Sequence, residues 1–206
     1  MFLLVTGASG SGTSTVRRLV AGELGSRVEC VELSDVVDVP QAPTIAWRQY
    51  ATEAVVQRGL ELQAQGRHLL LCGDPVAAGE VLAAPSADRL DGTAVCLLDV
   101  DQEAQTARLS VRGDDPGLLV HHLGFADWMR GHARDARHMP HVLTTRGWEE
   151  MRWERWLGAR NADGWAMHVV DTSRLSRQRV AHEVLDWCRL ALAGEAPLTR
   201  VRADTG

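Results

Sequence analysis

The sequence predicts an α/β fold in which a five-stranded parallel sheet is covered by helices on both faces. Three observations predict it. Short apolar runs alternate along the chain with longer amphipathic stretches. The first run, Phe2 to Thr6, passes directly into a glycine-rich turn and then a helix. The 206 residues suffice for one sizeable core but not for two ordinary domains with a linker.

The elements follow in order. A strand over Phe2–Thr6 rests on the apolar run Phe2-Leu3-Leu4-Val5, and a helix over Thr13–Leu24 places Val16, Leu19 and Val20 on one face. A strand over Arg27–Leu33 precedes a long helix over Thr44–Gln65. Leu69-Leu70-Leu71 carries a strand over His68–Cys72, followed by a helix over Val76–Ala84. The fourth strand, Thr93–Asp99, contains Val95-Cys96-Leu97-Leu98 and leads to a helix over Gln102–Val111. A helical stretch over Pro116–Arg137 comes next, then a strand over Ala166–Val170. A last helix over Leu175–Leu192 turns Val180, Val184, Leu185 and Cys188 to one side. Residues 1–193 read as one domain, with 116–164 a helical lid or substrate insert. The polar segment 194–206 carries a proline and is expected to fray.

A net charge of -5 gives no general attraction to nucleic acid or an anionic membrane, so any bound anion must be held locally. No stretch approaches the ~20 apolar residues of a membrane span, and no signal peptide fits the start. The expected location is cytoplasmic. Cys30, Cys72, Cys96 and Cys188 lie far apart without a CxxC pair and read as buried free thiols.

The turn Gly7-Ala8-Ser9-Gly10-Ser11-Gly12-Thr13-Ser14 lies between a buried strand and an amphipathic helix. Backbone N–H groups converge in such a turn, and the helix adds its positive dipole end, so phosphate is the expected ligand. Gly7, Gly10 and Gly12 fall on the glycines of G-x-x-G-x-G-K-[ST], and Ser14 falls on the hydroxyl that holds Mg²⁺. Thr13 occupies the lysine position. All 22 basic residues are arginine, so a general exchange of lysine for arginine does not explain a neutral hydroxyl there. Either Arg17, one turn along the helix, reaches back toward the loop, or arginines of a mobile lid balance the phosphate charge.

These residues resemble the small P-loop kinases, the group that includes nucleoside monophosphate kinases, shikimate kinase and gluconate kinase. Val95 to Asp101 with Arg108-Leu109-Ser110-Val111-Arg112 resembles their fourth strand and an R-x-x-x-R helix near the lid. Val169-Val170-Asp171-Thr172-Ser173 resembles their fifth strand and the loop beside the nucleotide base. The resemblance covers most of residues 1–112 and 166–193.

The resemblance implies a P-loop NTPase three-layer sandwich with strand order 2-3-1-4-5. It also implies ATP or GTP with Mg²⁺ as cofactors, and an unidentified small-molecule or nucleotide acceptor, but no nucleic acid polymer. Gly7, Ala8, Ser9, Gly10, Ser11, Gly12, Thr13, Ser14 and Thr15 would hold the nucleotide with Arg108, Thr172 and Ser173. Ser14 and Asp74 would hold the metal; Gly73-Asp74-Pro75 as a plain turn is the alternative. Asp35 would orient the acceptor hydroxyl, with Glu32 and Asp38 as substitutes. Arg108 and Arg112, four apart on one helix face, would clamp phosphate.

Arg130, Arg134 and Arg137 would extend a basic stripe into the lid. His132, His138 and His141 are too irregularly spaced, across a proline, to suggest zinc. Trp153 and Trp156 read as the buried side of a short helix rather than a stacking platform. Two rival functions remain. The loop also resembles the G-x-x-R-S-G-T-[ST] phosphosulfate loop of sulfotransferases, although position 10 is glycine and acids follow the fourth strand. A nucleotide sensor without turnover is the other rival, suggested by the missing lysine.

Overall fold

The computed structural model describes residues 1–157 and 164–199. Five parallel strands form one sheet in the order β2-β3-β1-β4-β5. They are β1 (Phe2–Thr6), β2 (Val28–Val31), β3 (His68–Cys72), β4 (Thr93–Asp99) and β5 (His168–Asp171). The helices are α1 (Thr13–Val20), α2 (Ile45–Ala64), α3 (Ala78–Ala83), α4 (Gln102–Arg112), α5 (Leu119–Arg134), α6 (His141–Thr144), α7 (Glu154–Leu157) and α8 (Arg177–Leu192).

Because successive side chains of a strand point to opposite faces, the continuous apolar runs build two cores. Phe2 and Leu4 of β1 join Leu69, Leu71, Val95 and Leu97 under α2, α3 and the insert. Leu3 and Val5 join Leu70, Cys72, Ala94, Cys96 and Leu98 under α1 and α8. The register places Leu3 beside Leu70 on one side and Ala94 on the other, so β1 lies at the centre with the glycine loop at its C-terminal edge. Switching from β3 to β4 around β1 opens the crevice where α/β sheets bind ligands.

Several element ends differ from the sequence reading. α1 stops at Val20 because Ala21-Gly22 leads into a reversal at Gly25, whose φ of 67° suits glycine. β2 keeps only its four paired residues, and β5 begins at His168, where pairing with Cys96 starts. The helix expected over Pro116–Arg137 is a 3₁₀ turn at Pro116–Leu118 followed by α5, which ends as Asp135 turns extended and accepts from the Arg137 N–H at 2.9 Å. The tail also departs from expectation. Thr199 is 1% exposed, its N–H donates to the Thr93 carbonyl at 2.8 Å, and its hydroxyl donates to Ala166. Ala196 and Leu198 add apolar contact, so the chain is docked as far as Thr199, and residues 200–206 lie outside the described residues.

The insert is fastened to α3 by aromatic packing. His132 stacks on Trp128 and meets Trp156 and Trp165 edge-on, and the Trp156 indole donates to the Gly79 carbonyl at 2.9 Å. Trp156 is 1% exposed, as its spacing with Trp153 anticipated. His132 Nε2 accepts from the Gly79 N–H at 3.2 Å, which puts the imidazole proton on Nδ1. Nδ1 makes no hydrogen bond of ordinary geometry, and the Ala136 carbonyl gives it only partial compensation. Burial lowers the His132 pKa to about 4. An unfolded chain therefore takes up this proton first, and stability falls as pH drops from about 6.5 toward 4. The expected loss is about 3 kcal/mol across that window. Thermal midpoints measured from pH 7 to 4.5 should fall steeply in the native protein and less steeply in His132→Gln; parallel curves would refute the assignment.

The four cysteines are unpaired; three are buried and Cys30 is half-buried. Burial raises the thiols of Cys30 to about 11 and Cys188 to about 12, so they pack as small apolar groups. Among the described residues no helix is long and apolar enough to cross a membrane.

Candidate functional site

The loop leaving β1 is shaped by its glycines. A β-carbon on Gly7 would strike the Ser11 hydroxyl and come within 2.6 Å of the Leu98 carbonyl, while Gly10 and Gly12 have φ of 88° and 107°. Ser11 N–H bonds the Ala8 carbonyl, and the Thr15 and Val16 N–H groups bond Gly12, each at 3.0 Å. Among the described residues the N–H groups of Gly10, Gly12, Thr13 and Ser14 have no protein partner. Those amides stand at the positive end of α1, an arrangement suited to an anion.

A cleft of about 830 Å³ opens from these amides between α1, α4 and the start of α8. Arg18, Arg108, Arg112 and Arg177 line it together with Thr172, and among the described residues no Asp or Glu does. In a chain of net charge -5, such a cleft is a local concentration of basic side chains. Arg108 spans it, donating to the Gly10 carbonyl at 3.1 Å, to the Thr172 hydroxyl at 2.9 Å and to the carbonyls of Thr172 and Ser173. Thr172 in turn donates from N–H and hydroxyl to the Asp99 carbonyl at 2.8 and 2.9 Å. Arg112 is half-exposed and paired with Asp114, whose carboxyl it holds below the usual range, so it borders the cleft with its charge already engaged.

Thr13 does not turn its hydroxyl to the loop amides. Its hydroxyl donates to the Gly73 carbonyl at 3.2 Å, and the exposed Ser14 hydroxyl reaches the same carbonyl at 3.5 Å. Arg17 does not turn back to the loop either. Its guanidinium pairs with Asp35 and lies 3.7 Å from Glu32. Asp35 also accepts from the Glu32 N–H at 2.9 Å, closing a 3₁₀ turn at Leu33–Asp35. Asp74 stands beside this group just after β3. Its Oδ2 accepts from the Leu33 N–H at 2.7 Å, and burial, with Glu32 nearby, raises its pKa. The structure thus gathers Ser14, Asp74, Asp35 and Arg17 at the edge of β2 and β3, while Arg108, Thr172 and Ser173 lie across the loop.

The expected basic lid stripe is not formed by Arg130. That side chain is tied to Asp99 at 2.8 Å, to the Val100 carbonyl at 3.1 Å and to Asp127, and so anchors α5 to the end of β4. Arg137 lies 3.8 Å from Asp135. The sequence reading also missed Gln105, which donates to the carbonyls of Ser9 and His122 at 2.8 and 3.2 Å, and the cleft residues Arg18 and Arg177. Gln105, Arg108 and Arg112 stand at i, i+3 and i+7, so helical spacing was the available signal.

Comparison of the sequence with protein-family models and with curated proteins gives no match. Solved structures do match the fold. A sugar kinase from Janibacter is 17% identical, with a TM-score of 0.57 over 95% of this chain and 98% of that one. Shikimate kinase from Acinetobacter baumannii, solved with shikimate, is 16% identical, with a TM-score of 0.50 over 94% of each chain. An uncharacterized protein from Eubacterium ventriosum is 10% identical, with a TM-score of 0.51 over 92% of this chain and 98% of that one. Sheet order, the position of the glycine loop and these likenesses give the chain the three-layer α/β fold of the P-loop NTPases.

Proposed function

We propose that the protein is a kinase that transfers the terminal phosphoryl group of ATP or GTP to a hydroxyl of a small-molecule or nucleotide acceptor. One observation carries this reading: loop amides at the start of α1, unpartnered among the described residues, open into an arginine-lined cleft of nucleotide size that no described carboxylate lines. The likeness to a sugar kinase and a shikimate kinase supports it.

Phosphoryl transfer asks chiefly for positioning and for positive groups around the moving charge. Residues Gly7 to Thr15 seat the phosphates, Arg108 supplies the guanidinium nearest the loop, and Thr172 with Ser173 borders the base. Asp35 orients the acceptor hydroxyl at the edge of β2, and Arg112 stands at the cleft mouth, where a phosphate would compete with Asp114 for its guanidinium. Ser14 and Asp74 fit a magnesium ion: Ser14 is exposed beside the seat, and Asp74 has one oxygen committed to Leu33. When bound there, Mg²⁺ neutralises phosphate charge, and it ordinarily takes only one or two protein ligands.

Calorimetric titration with ATP, GTP and 3′-phosphoadenosine phosphosulfate, with and without Mg²⁺, tests the reading. A phosphate-uptake screen of nucleoside monophosphates, sugars and hydroxylated acids then seeks the acceptor. Mg-dependent ATP or GTP binding with transfer is expected. Binding of the phosphosulfate alone would replace the kinase with a sulfotransferase, and tight nucleotide binding without transfer would replace it with a sensor.

Asp74→Asn should cut turnover at least about tenfold while leaving the thermal midpoint nearly unchanged. The amide oxygen still accepts from Leu33, and only the charge is lost. Full activity in that variant would remove Asp74 from the metal site.

A further inference from the structure

The lysine position of the loop is filled by a hydroxyl that is committed to Gly73, so another group must set the loop's shape. That group comes from α4. Gln105 and Arg108 lie one turn apart and take consecutive loop carbonyls, Ser9 at 2.8 Å and Gly10 at 3.1 Å. Both carbonyls are thereby drawn toward α4.

The consequence follows from the planarity of the peptide. In a trans peptide C=O and N–H point in opposite directions, so holding the Ser9 oxygen on α4 sends the Gly10 N–H away from it. That N–H is one of the amides without a protein partner. Gln105 is 1% exposed, and its second bond, to His122 at 3.2 Å, locks the amide against α5. A side-chain amide suits this place because its NH₂ can donate to two carbonyls at once.

We propose that Gln105 is a positioning residue for polyphosphate binding: it orients the Ser9–Gly10 peptide so that the Gly10 N–H faces the phosphates. The proposal rests on the nucleotide reading above. It touches no phosphate itself and acts through the loop. Removing the donor takes the side-chain partner from the Ser9 carbonyl, while His122 keeps its place in the α5 ladder, and frees the Ser9–Gly10 peptide to rotate.

Gln105→Met and Gln105→Glu, titrated with Mg·ATP, tripolyphosphate and adenosine, test this. Gln105→Met should bind ATP and tripolyphosphate about tenfold more weakly and adenosine as the native protein does. In Gln105→Glu an ionised carboxylate faces two carbonyls, and protonation restores a donor. Its triphosphate affinity, relative to native protein at each pH, should therefore recover as pH falls from 8.5 to 5.5. Native-like triphosphate binding by Gln105→Met, or equal losses for adenosine and tripolyphosphate, would overturn the proposal. If Gln105→Met does not fold, the Gln105→Glu profile decides, and a flat one is a refutation. Native protein that binds neither ATP nor tripolyphosphate would instead overturn the nucleotide reading, and this proposal with it.

Discussion

Gly12→Val is expected to abolish nucleotide binding while leaving the protein folded. A β-carbon at Gly12 meets no protein atom within 4 Å, so the fold has room for it. Two costs remain. The φ of 107° lies where a β-branched residue is an outlier, adding about 1–3 kcal/mol of strain. The added atoms also occupy the open space beside the loop amides, where the proposed nucleotide would place a phosphate. Affinity for Mg·ATP should fall at least about 100-fold, as read by calorimetry, with an unchanged far-ultraviolet circular dichroism spectrum. Gly7 would not separate the two effects, because its β-carbon would collide with the Leu98 backbone. Affinity within threefold of native (roughly 0.7 kcal/mol) would remove the loop from the binding site.

Arg48→Met should be the most destabilising of these changes. Glu80, in the first turn of α3, is fully buried and accepts from Arg48 Nε at 3.0 Å and Nη2 at 2.7 Å, from Gln49 at 3.3 Å and from the Ala77 N–H at 3.0 Å. Gln49 continues the network to the Leu143 carbonyl at 2.8 Å and accepts from the Trp148 N–H at 2.7 Å, so α2, α3 and the insert share one polar joint. Removing Arg48 leaves a buried carboxylate without its countercharge, a cost of about 3–5 kcal/mol. For a chain of this length that lowers the thermal midpoint by about 10 °C. Adding Glu80→Gln should recover a large part of the loss, since it removes the unpaired charge. A midpoint shift below about 3 °C for Arg48→Met, or no recovery in the double variant, would contradict this account.

Short-range patterns in the chain were enough for the sheet. β1, β3 and β4 match the sequence reading end to end because buried parallel strands are continuous apolar runs, and nothing in their neighbours competes. β2 and β5 are edge strands whose limits depend on where pairing with β3 and β4 stops, so apolar content could not bound them. The segment from Pro116 onward matched no family pattern, and its residues pack against α3 and the end of β4 through contacts far apart in the chain.

The sequence by itself determined the glycine loop and the strand–helix alternation, because both rest on local patterns of residues, and its resemblance to the small P-loop kinases supplied the candidates Asp35, Asp74, Arg108 and Thr172. Only the tertiary structure decided how the arginines are engaged. Arg17 lies against Asp35, Arg130 against Asp99, and Arg108 between the loop and Thr172. A guanidinium on a long side chain can reach several partners, and which one it meets depends on elements that adjoin only after the sheet has closed. The orientation of Thr13 toward Gly73 and the hold of Gln105 on Ser9 arise the same way, across 60 and 96 residues of chain.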